Sequence, residues 1–258
     1  MRVYLSSVLE CEIPFEEKLK LCSNSYVLHS FAYYKPQIKD LMSACKDVLI
    51  DSGAFTLMAR SIRNGNNANF DIKAYCKKYA EFVRDNKIEN FIELDVEGAY
   101  GFETYKYCLY MLQDITGKDP IYVFHRWRGL DYFKELVKKK NYICLGDVDV
   151  VTRNLTQEKY FPWFVEEAHK NNCKVHGLAF TQMDKLKHIP FDSIDSSSWT
   201  AGARFANVSR FDGHTIMGYS CKRTESRSLP CSTDCKRHDL PEWIKLQRYF
   251  DTQMEPIW

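Results

Sequence analysis

Short apolar runs rich in β-branched and aromatic residues alternate with longer segments of helical periodicity from the N-terminus to about residue 200. Such alternation is typical of βα units, in which amphipathic helices cover a parallel sheet. The pattern contains eight candidate strands, which favours a (β/α)8 TIM-type barrel over a doubly wound open sheet, the alternative that the pattern leaves open. The predicted strands are VYLSS (3–7), YVLHSF (26–31), DVLIDSG (47–53), NFIELDV (90–96), PIYVFH (120–125), YICLGD (142–147), KVHGLAF (174–180) and FDSIDSS (191–197).

The segments between these strands carry apolar residues at positions i, i+3, i+4 and i+7, which predicts amphipathic helices. The alternation ends near residue 205, so we expect a barrel domain over residues 1–205 and a small C-terminal extension over 206–258. The extension is predicted to end in a closing helix, LPEWIKLQRYFDTQM (240–254). The predicted barrel helices are PQIKDLMSACK, FDIKAYCKKYAEFVRDN, FETYKYCLYMLQDITG, LDYFKELVKKK, EKYFPWFVEEAHKNN and MDKLKHI.

The composition limits the class of protein. With 258 residues and 45% apolar content, the chain can bury one sizeable core. It has no apolar run of 18 residues, and its N-terminus lacks the order of a signal peptide, so we expect a cytoplasmic protein with no membrane partner. A net charge of +2 excludes a strongly basic surface overall but not a local basic patch. Seven scattered cysteines are predicted to be reduced core thiols: Cys11, Cys22, Cys45, Cys76, Cys108, Cys144 and Cys173.

Acidic and imidazole side chains recur where the predicted strands end, which is the edge of a barrel that carries active sites. Asp51, Asp95, His125 and Asp195 occupy such positions. Each also allows a structural interpretation: Asp51 could cap the following turn, Asp95 could cap a helix that begins near residue 100, and His125 could be a core histidine. Asp195 is followed by three serines, whose hydroxyl groups are donors to a carboxylate. The pattern predicts a shared polar cavity.

Five motifs occur in a fixed order along the predicted barrel: DSGAF (51–55), IELDVEG (92–98), YICLGD (142–147), HGLAFTQMDKL (176–186) and FDSIDSSSW (191–199). Together they resemble the tRNA-guanine transglycosylase superfamily. Details such as DSGAFT, HRW and the DSSSW ending resemble most closely its DpdA-type branch, the DNA 7-deazaguanine transglycosylases of phages and bacteria. Like that branch, this chain lacks the PTRNAR sequence of the tRNA enzymes after the last motif.

The resemblance implies a modified (β/α)8 barrel that exchanges guanine for a 7-deazaguanine base without breaking the nucleic-acid strand. Residue by residue, it makes Asp195 the nucleophile, Asp51 the carboxylate beside the base that serves in recognition or acid/base work, and Asp95 the carboxylate that reads the base. Arg204 matches the second arginine after the nucleophile, whereas Ala201 stands in place of the first, which departs from the tRNA-type phosphate contacts. The substrate-binding residues implied are Asp95, Phe55, Ser52, Gly53, His125, Gly146, Trp199 and Arg204.

The reaction accounts for these residue types. A carboxylate can hold the sugar carbon C1′ as a covalent glycosyl-enzyme intermediate, as in retaining glycosidases, and Asp195 suits this role. A second carboxyl group must protonate the departing base and recover the proton later, which we assign to Asp51. Asp95 would accept from the N1–H and amino groups of guanine, and Phe55 would stack on the extruded base.

Cys221, Cys231, Cys235 and His238 lie within eighteen residues near the C-terminus. Four soft ligands of this kind suit a tetrahedral structural zinc ion, and the resemblance implies a zinc subdomain at this place. Their spacing, C-x9-C-x3-C-x2-H, differs from the C-x-C-x-x-C with a distant histidine of the tRNA enzymes. Reduced surface thiols are the alternative, and structural Zn²⁺ is the cofactor that we predict.

The leading functional prediction is a pentosyltransferase that acts on guanine-containing DNA and a 7-deazaguanine base such as preQ0, in the host cytoplasm if the chain is phage-encoded. The first alternative is a tRNA-guanine transglycosylase with tRNA as its partner. The second is a catalytically idle barrel that binds nucleic acid. The intact set of carboxylates favours an enzyme over the idle barrel.

Overall fold

The structure is a computed structural model that describes residues 1–54, 56–58, 70–146, 158–180, 185–205, 207–220 and 232–253. It is an α/β protein in which seven strands are hydrogen-bonded in the order β3-β2-β1-β7-β6-β5-β4, with parallel pairing at each ladder whose register is resolved. The strands are β1 (Arg2–Ser6), β2 (Tyr26–Ser30), β3 (Asp47–Asp51), β4 (Tyr122–Phe124), β5 (Tyr142–Leu145), β6 (Lys174–Gly177) and β7 (Ser193–Ser196).

Seven of the eight predicted strands are confirmed, and the α/β class with them. The eighth prediction, a regular strand over NFIELDV (90–96), is wrong. Only Phe91 and Ile92 form isolated parallel bridges there, to Ile50 and Ile121. The chain then leaves the extended conformation, because the Asp95 amide donates to the Glu93 carbonyl at 3.1 Å. The expected eight regular strands of a closed barrel are therefore not present among the described residues.

The helices confirm most of the predicted amphipathic segments. The last one, MDKLKHI, is wrong as a helix, since only a 3-10 turn over Lys185–Lys187 is formed in its described part. Pro190 follows closely and disfavours helical backbone in the residue before it. The helices are α1 (Phe15–Cys22), α2 (Ile38–Ala44), α3 (Ile72–Asp85), α4 (Glu97–Tyr100), α5 (Phe102–Thr116), α6 (Leu130–Lys139), α7 (Phe161–Lys170) and α8 (Ser232–Gln253).

The chain divides into two compact units. The first unit comprises Met1–His29, Lys35–Val48 and His176–Trp258. In it, β1 pairs with β2 and β7, so that Tyr4 lies opposite Asp195 and Leu5 opposite Ser196. The apolar residues of these strands are buried and form the core of the unit. Continuous apolar runs of this kind are typical of parallel strands that are covered on both faces.

The first unit also contains the residues predicted as a C-terminal extension. Their described part forms an antiparallel hairpin of β8 (Asn207–Phe211) and β9 (Ile216–Ser220), and the helix α8. Asp239 accepts from the Ser209 amide at 2.6 Å, and Gln247 bonds both the amide and the carbonyl group of Tyr26. Two buried polar side chains of α8 thus hydrogen-bond backbone groups of β8 and β2.

The second unit comprises Ser30–Tyr34 and Leu49–Val175. Here α3 and α5 pack together, and the core that they cover includes Leu94 and Val96 from the segment that follows the bridged residues. The apolar face of α3 recurs with helical period, so Ile72, Cys76 and Tyr79 are all buried. This packing fixes the path of residues 93–97, which carry three carboxylates.

The prediction of core thiols agrees with the burial of six of the seven scattered cysteines, and the seventh, Cys45, is partly exposed. Within the described ranges, no helix is both long enough and apolar enough to cross a membrane.

Candidate functional site

Asp195 of the first unit is held by donors on both of its carboxylate oxygens. Ser6 Oγ donates to Oδ2 at 2.8 Å, and the Ala179 amide donates to Oδ1 at 2.7 Å. Ala179 has φ +50°, a left-handed conformation that costs a non-glycine residue about 1–2 kcal/mol. The side chain of Asp195 is 11% exposed, so it is not fully closed off from solvent. The arrangement orients a nearly buried carboxylate at the carboxyl end of β7.

His176 is the third neighbour of this carboxylate. Its Nε2 lies 3.4 Å from Asp195 Oδ1, and its Nδ1 lies 2.7 Å from Ser193 Oγ. The imidazole is fully buried, with the ring of Tyr4 edge-on at 5.9 Å. Because both ring nitrogens have polar neighbours on β7, the ring is held in one orientation beside the carboxylate.

Two further predicted site residues belong to this unit. Trp199 is fully buried, and its indole N–H donates to the Ser6 carbonyl at 2.7 Å. It therefore fixes the end of β1, from which Ser6 reaches Asp195. Arg204 lies exposed on the 3-10 turn Gly202–Phe205.

The second unit contains a cluster of carboxylates around Glu93, which is fully buried. Glu93 Oε1 accepts from the Val123 amide at 2.8 Å, and Oε2 accepts from Tyr105 OH at 2.8 Å. Burial and the nearby charge of Asp95 raise the pKa of Glu93 to about 7. Glu93 ties the segment after the bridged residues to β4 and α5, and its charge changes near neutral pH.

Arg128 is the cation at the centre of this cluster. Its Nη2 lies 2.9 Å from Glu97 Oε2 and 3.7 Å from Asp95 Oδ1, and its Nη1 lies 3.7 Å from Glu93 Oε1. Burial alone would lower the pKa of Arg128, but the interactions with Glu93, Tyr105, Tyr132 and Asp95 together outweigh it and raise that pKa. The guanidinium lies 4.5 Å from the centre of the Tyr105 ring. One buried cation therefore lies within 4 Å of three carboxyl groups.

Asp95 hydrogen-bonds His125 and forms a longer ion pair with Arg128. Its Oδ2 lies 2.5 Å from His125 Nε2. Val96, not Asp95, occupies the N-cap position of α4, so the helix-cap alternative does not apply. Gly146 packs against the imidazole, since a β-carbon at that position would lie 2.7 Å from His125 Cε1. The structure therefore brings together three predicted residues, Asp95, His125 and Gly146.

Asp51, Ser52 and Gly53 form a tight turn after β3. Asp51 Oδ2 accepts from the Gly53 amide at 2.9 Å, which is the turn-capping interaction that the sequence left open. Ser52 is buried, and its hydroxyl donates to the Glu93 carbonyl at 2.8 Å. Gly53 has φ +79°, and a β-carbon there would lie 2.5 Å from Ala32 Cβ. Phe55, the predicted stacking residue, lies outside the described residues.

The predicted zinc ligands fall partly outside the described residues, since Cys221 and Cys231 are not among them. Cys235 and His238 lie one turn apart on α8, where Cys235 is buried and His238 Nδ1 lies 3.2 Å from Asp239 Oδ1. In the ranges that are described, no group of three His, Cys, Asp or Glu side chains is arranged to hold a metal ion. Zinc binding stays a prediction.

Ser6, Glu93 and Arg128 were not predicted as site residues. Ser6 and Glu93 carry a signal in the sequence, because each is a polar residue within or at the end of an apolar strand pattern, where burial demands a partner. Arg128 carries none, since RWRGL reads as an ordinary basic loop.

No protein-family model matches the chain, and no curated protein matches it at a significant level. The assignment of a function therefore depends on the geometry of the two clusters and on the motifs.

Proposed function

We propose that the protein is a transglycosylase that exchanges guanine in DNA for a 7-deazaguanine base such as preQ0, through a covalent intermediate on Asp195. The observation that supports this most is the setting of Asp195. It is a nearly buried carboxylate at the end of a parallel strand, with one donor on each oxygen. Such bonds hold a carboxylate oxygen in one direction, as an in-line attack on C1′ of a nucleotide requires.

The proposed exchange has two steps. In the first, an Asp195 oxygen forms a bond to C1′ while the C1′–N9 bond breaks, and the electron pair leaves with guanine. The departing base takes a proton from a carboxylic acid, the role that the motif resemblance assigns to Asp51. In the second step, N9 of the 7-deazaguanine attacks C1′, the ester bond to Asp195 breaks, and the N9 proton returns to the acid. Atoms and charge balance over the cycle.

The Asp95 cluster of the second unit supports recognition of guanine. Asp95 retains 17% side-chain exposure, so it can accept from a ligand. A carboxylate that accepts from N1–H and the amino group discriminates against adenine, whose corresponding edge has an acceptor at N1. His125 and Arg128 hold this carboxylate from two sides. We assign the reading of the base to Asp95.

We further propose that Phe91 and Ile92 serve as a short eighth strand of a (β/α)8 barrel. The support is local to the second unit. The Ile92 amide donates to the Ile50 carbonyl at 2.8 Å, and the Ile121 amide donates to the Phe91 carbonyl at 2.8 Å. The two residues thereby link the end of β3 to the residue before β4, as a missing strand of a barrel would.

A structural Zn²⁺ held by Cys221, Cys231, Cys235 and His238, a cytoplasmic location and the DNA partner also belong to this proposal. They rest on the motif resemblance and on the donor types in the C-terminal sequence.

The proposal is tested by trapping the intermediate. The protein is incubated with a guanine-containing DNA oligonucleotide, or with tRNA in a parallel arm, and quenched in denaturant. We expect a covalent adduct with DNA that Asp195→Asn abolishes. Asp192→Asn is the matched control, because Asp192 is a carboxylate three residues earlier whose loss should leave the adduct intact.

Exchange of radiolabelled guanine into each nucleic acid gives an independent readout. An adduct with tRNA but not with DNA would favour the tRNA alternative. Exchange activity that persists in Asp195→Asn would overturn the assigned mechanism. The absence of adduct and exchange with both nucleic acids, in a protein that still binds them, would favour the idle barrel.

A further inference from the structure

Trp127 is the most exposed of the tryptophans in the described residues, with 59% of its surface accessible. Its ring lies nearly parallel to that of His125, with an interplanar angle of 13° and a centroid distance of 5.8 Å. His125 in turn bonds Asp95. An exposed indole is therefore joined by one ring contact to the carboxylate that we assign to base reading.

The indole stands on a fixed turn. Residues Arg126–Arg128 form a 3-10 turn, in which the Arg128 amide donates to the His125 carbonyl and the Gly129 amide to the Arg126 carbonyl, both at 3.0 Å. The guanidinium of Arg128, which the carboxylate cluster holds, lies 5.4 Å from the Trp127 ring. The backbone that carries the indole is thus held by internal hydrogen bonds, which lowers the entropic cost of ordering it when a base stacks.

We propose that Trp127 is a stacking residue for the nucleic-acid substrate and that it contacts the nucleobase next to the guanine that is exchanged. This inference rests on the proposed function. The reason is the sequence of contacts: His125 bonds Asp95, the proposed base reader, and its ring stacks on that of Trp127, more than half of whose surface is exposed. Indole stacks on any base, so this contact adds affinity without selecting a sequence.

Trp163 offers a matched control within the same unit. It is 40% exposed on α7, and its ring packs against Phe133 and Phe164 rather than against a residue of the carboxylate cluster. Replacement of either tryptophan removes an exposed indole. Only the replacement of Trp127 removes one that contacts His125.

The test measures the affinity of a labelled single-stranded DNA oligonucleotide with one central guanine, and in parallel the affinity of free guanine. Base stacking contributes about 1–3 kcal/mol, so Trp127→Ala should weaken oligonucleotide binding by roughly 5- to 150-fold. Trp127→Phe should retain most of the affinity, and Trp163→Ala should bind as the original protein does. Free guanine should bind equally to all four proteins.

Three results would overturn the inference: unchanged oligonucleotide binding in Trp127→Ala, an equal loss in Trp163→Ala, or a matching loss for free guanine. The last result would mean that Trp127 contacts the exchanged base itself. Failure of the proposed function is distinguishable, because it appears as missing Asp195 adduct in a protein whose oligonucleotide binding still depends on Trp127.

Discussion

Glu93 should make the protein less stable as the pH rises through the neutral range. The carboxyl group is buried, and its pKa is raised from 4.5 to about 7 by this burial and by the charge of Asp95. The unfolded chain releases this proton near pH 4.5, whereas the folded protein keeps it to about pH 7. Between these values the folded state binds more protons, so its stability falls with rising pH.

The size of the effect follows from the two pKa values. Each unit of difference corresponds to about 1.4 kcal/mol, so ionisation of Glu93 costs the folded state about 3 kcal/mol above pH 7. Glu93→Gln keeps an oxygen that accepts from the Val123 amide and a polar group beside Tyr105, but it carries no charge. We expect the variant to match the original protein near pH 4.5 and to be more stable by about 3 kcal/mol at pH 8.

Urea unfolding followed by circular dichroism at half-unit steps from pH 4.5 to 8 measures this difference. Glu89→Gln is the control, because Glu89 is exposed and pairs only at the surface with Lys118. Its difference from the original protein should stay nearly constant with pH. A stability gap for Glu93→Gln that does not change with pH would refute the assignment of the raised pKa to Glu93.

Three further predictions concern single contacts. Ser6→Ala removes a buried donor from the Asp195 carboxylate and should slow adduct formation by roughly 10- to 150-fold, since a hydrogen bond to a charged group contributes about 1.5–3 kcal/mol. Ser43→Ala, at an exposed site, should leave the rate unchanged, and equal rates for the two variants would show that Ser6 does not orient the nucleophile. Gly53→Ala should lower the free energy of unfolding by about 2–4 kcal/mol, because φ is left-handed and the new β-carbon would clash with Ala32. Gly117→Ala, where φ is similar but a β-carbon would meet no neighbour, should lower it by only about 1 kcal/mol. Similar losses in both variants would mean that the approach of Ala32 to Gly53 is unimportant. Gly146→Ala should displace the His125 imidazole and weaken guanine binding in titration calorimetry. Gly98→Ala should not, because a β-carbon added at Gly98 would meet no neighbouring atom within 4 Å. Unchanged binding by Gly146→Ala would show that the position of His125 does not affect base recognition.

Much of the fold was predictable because its signals are local. Alternation of period-2 and period-3.6 patterns located seven strands and five of the six helices predicted between them to within a few residues. The eighth strand failed because Glu93 and Asp95 interrupt its apolar pattern and enter a turn whose partners lie elsewhere in the chain. The helix over MDKLKHI failed because a weak amphipathic pattern close to a proline does not outweigh the backbone restriction.

The candidate site was predictable in its residue types and less so in its contacts. Asp95 and His125 were expected from their places at strand ends and Gly146 from the motif resemblance, and the three lie together. Trp199 was expected to bind substrate, yet it is fully buried against Ser6. Its burial depends on how the turn after β7 folds back onto β1, a contact between residues 193 positions apart.

The sequence by itself determined which segments become strands and helices, and that carboxylates lie where strands end. Both follow from hydrophobic periodicity and from the turn residues that end strands, which act over a few neighbouring residues. Only the tertiary structure decided which groups those carboxylates meet. Ser6 and Asp195 are 189 residues apart, and Glu93 meets Val123 and Tyr105 across separate elements. Such pairs form through strand register and packing, and a buried charge is tolerated only where these bring a partner within bonding distance.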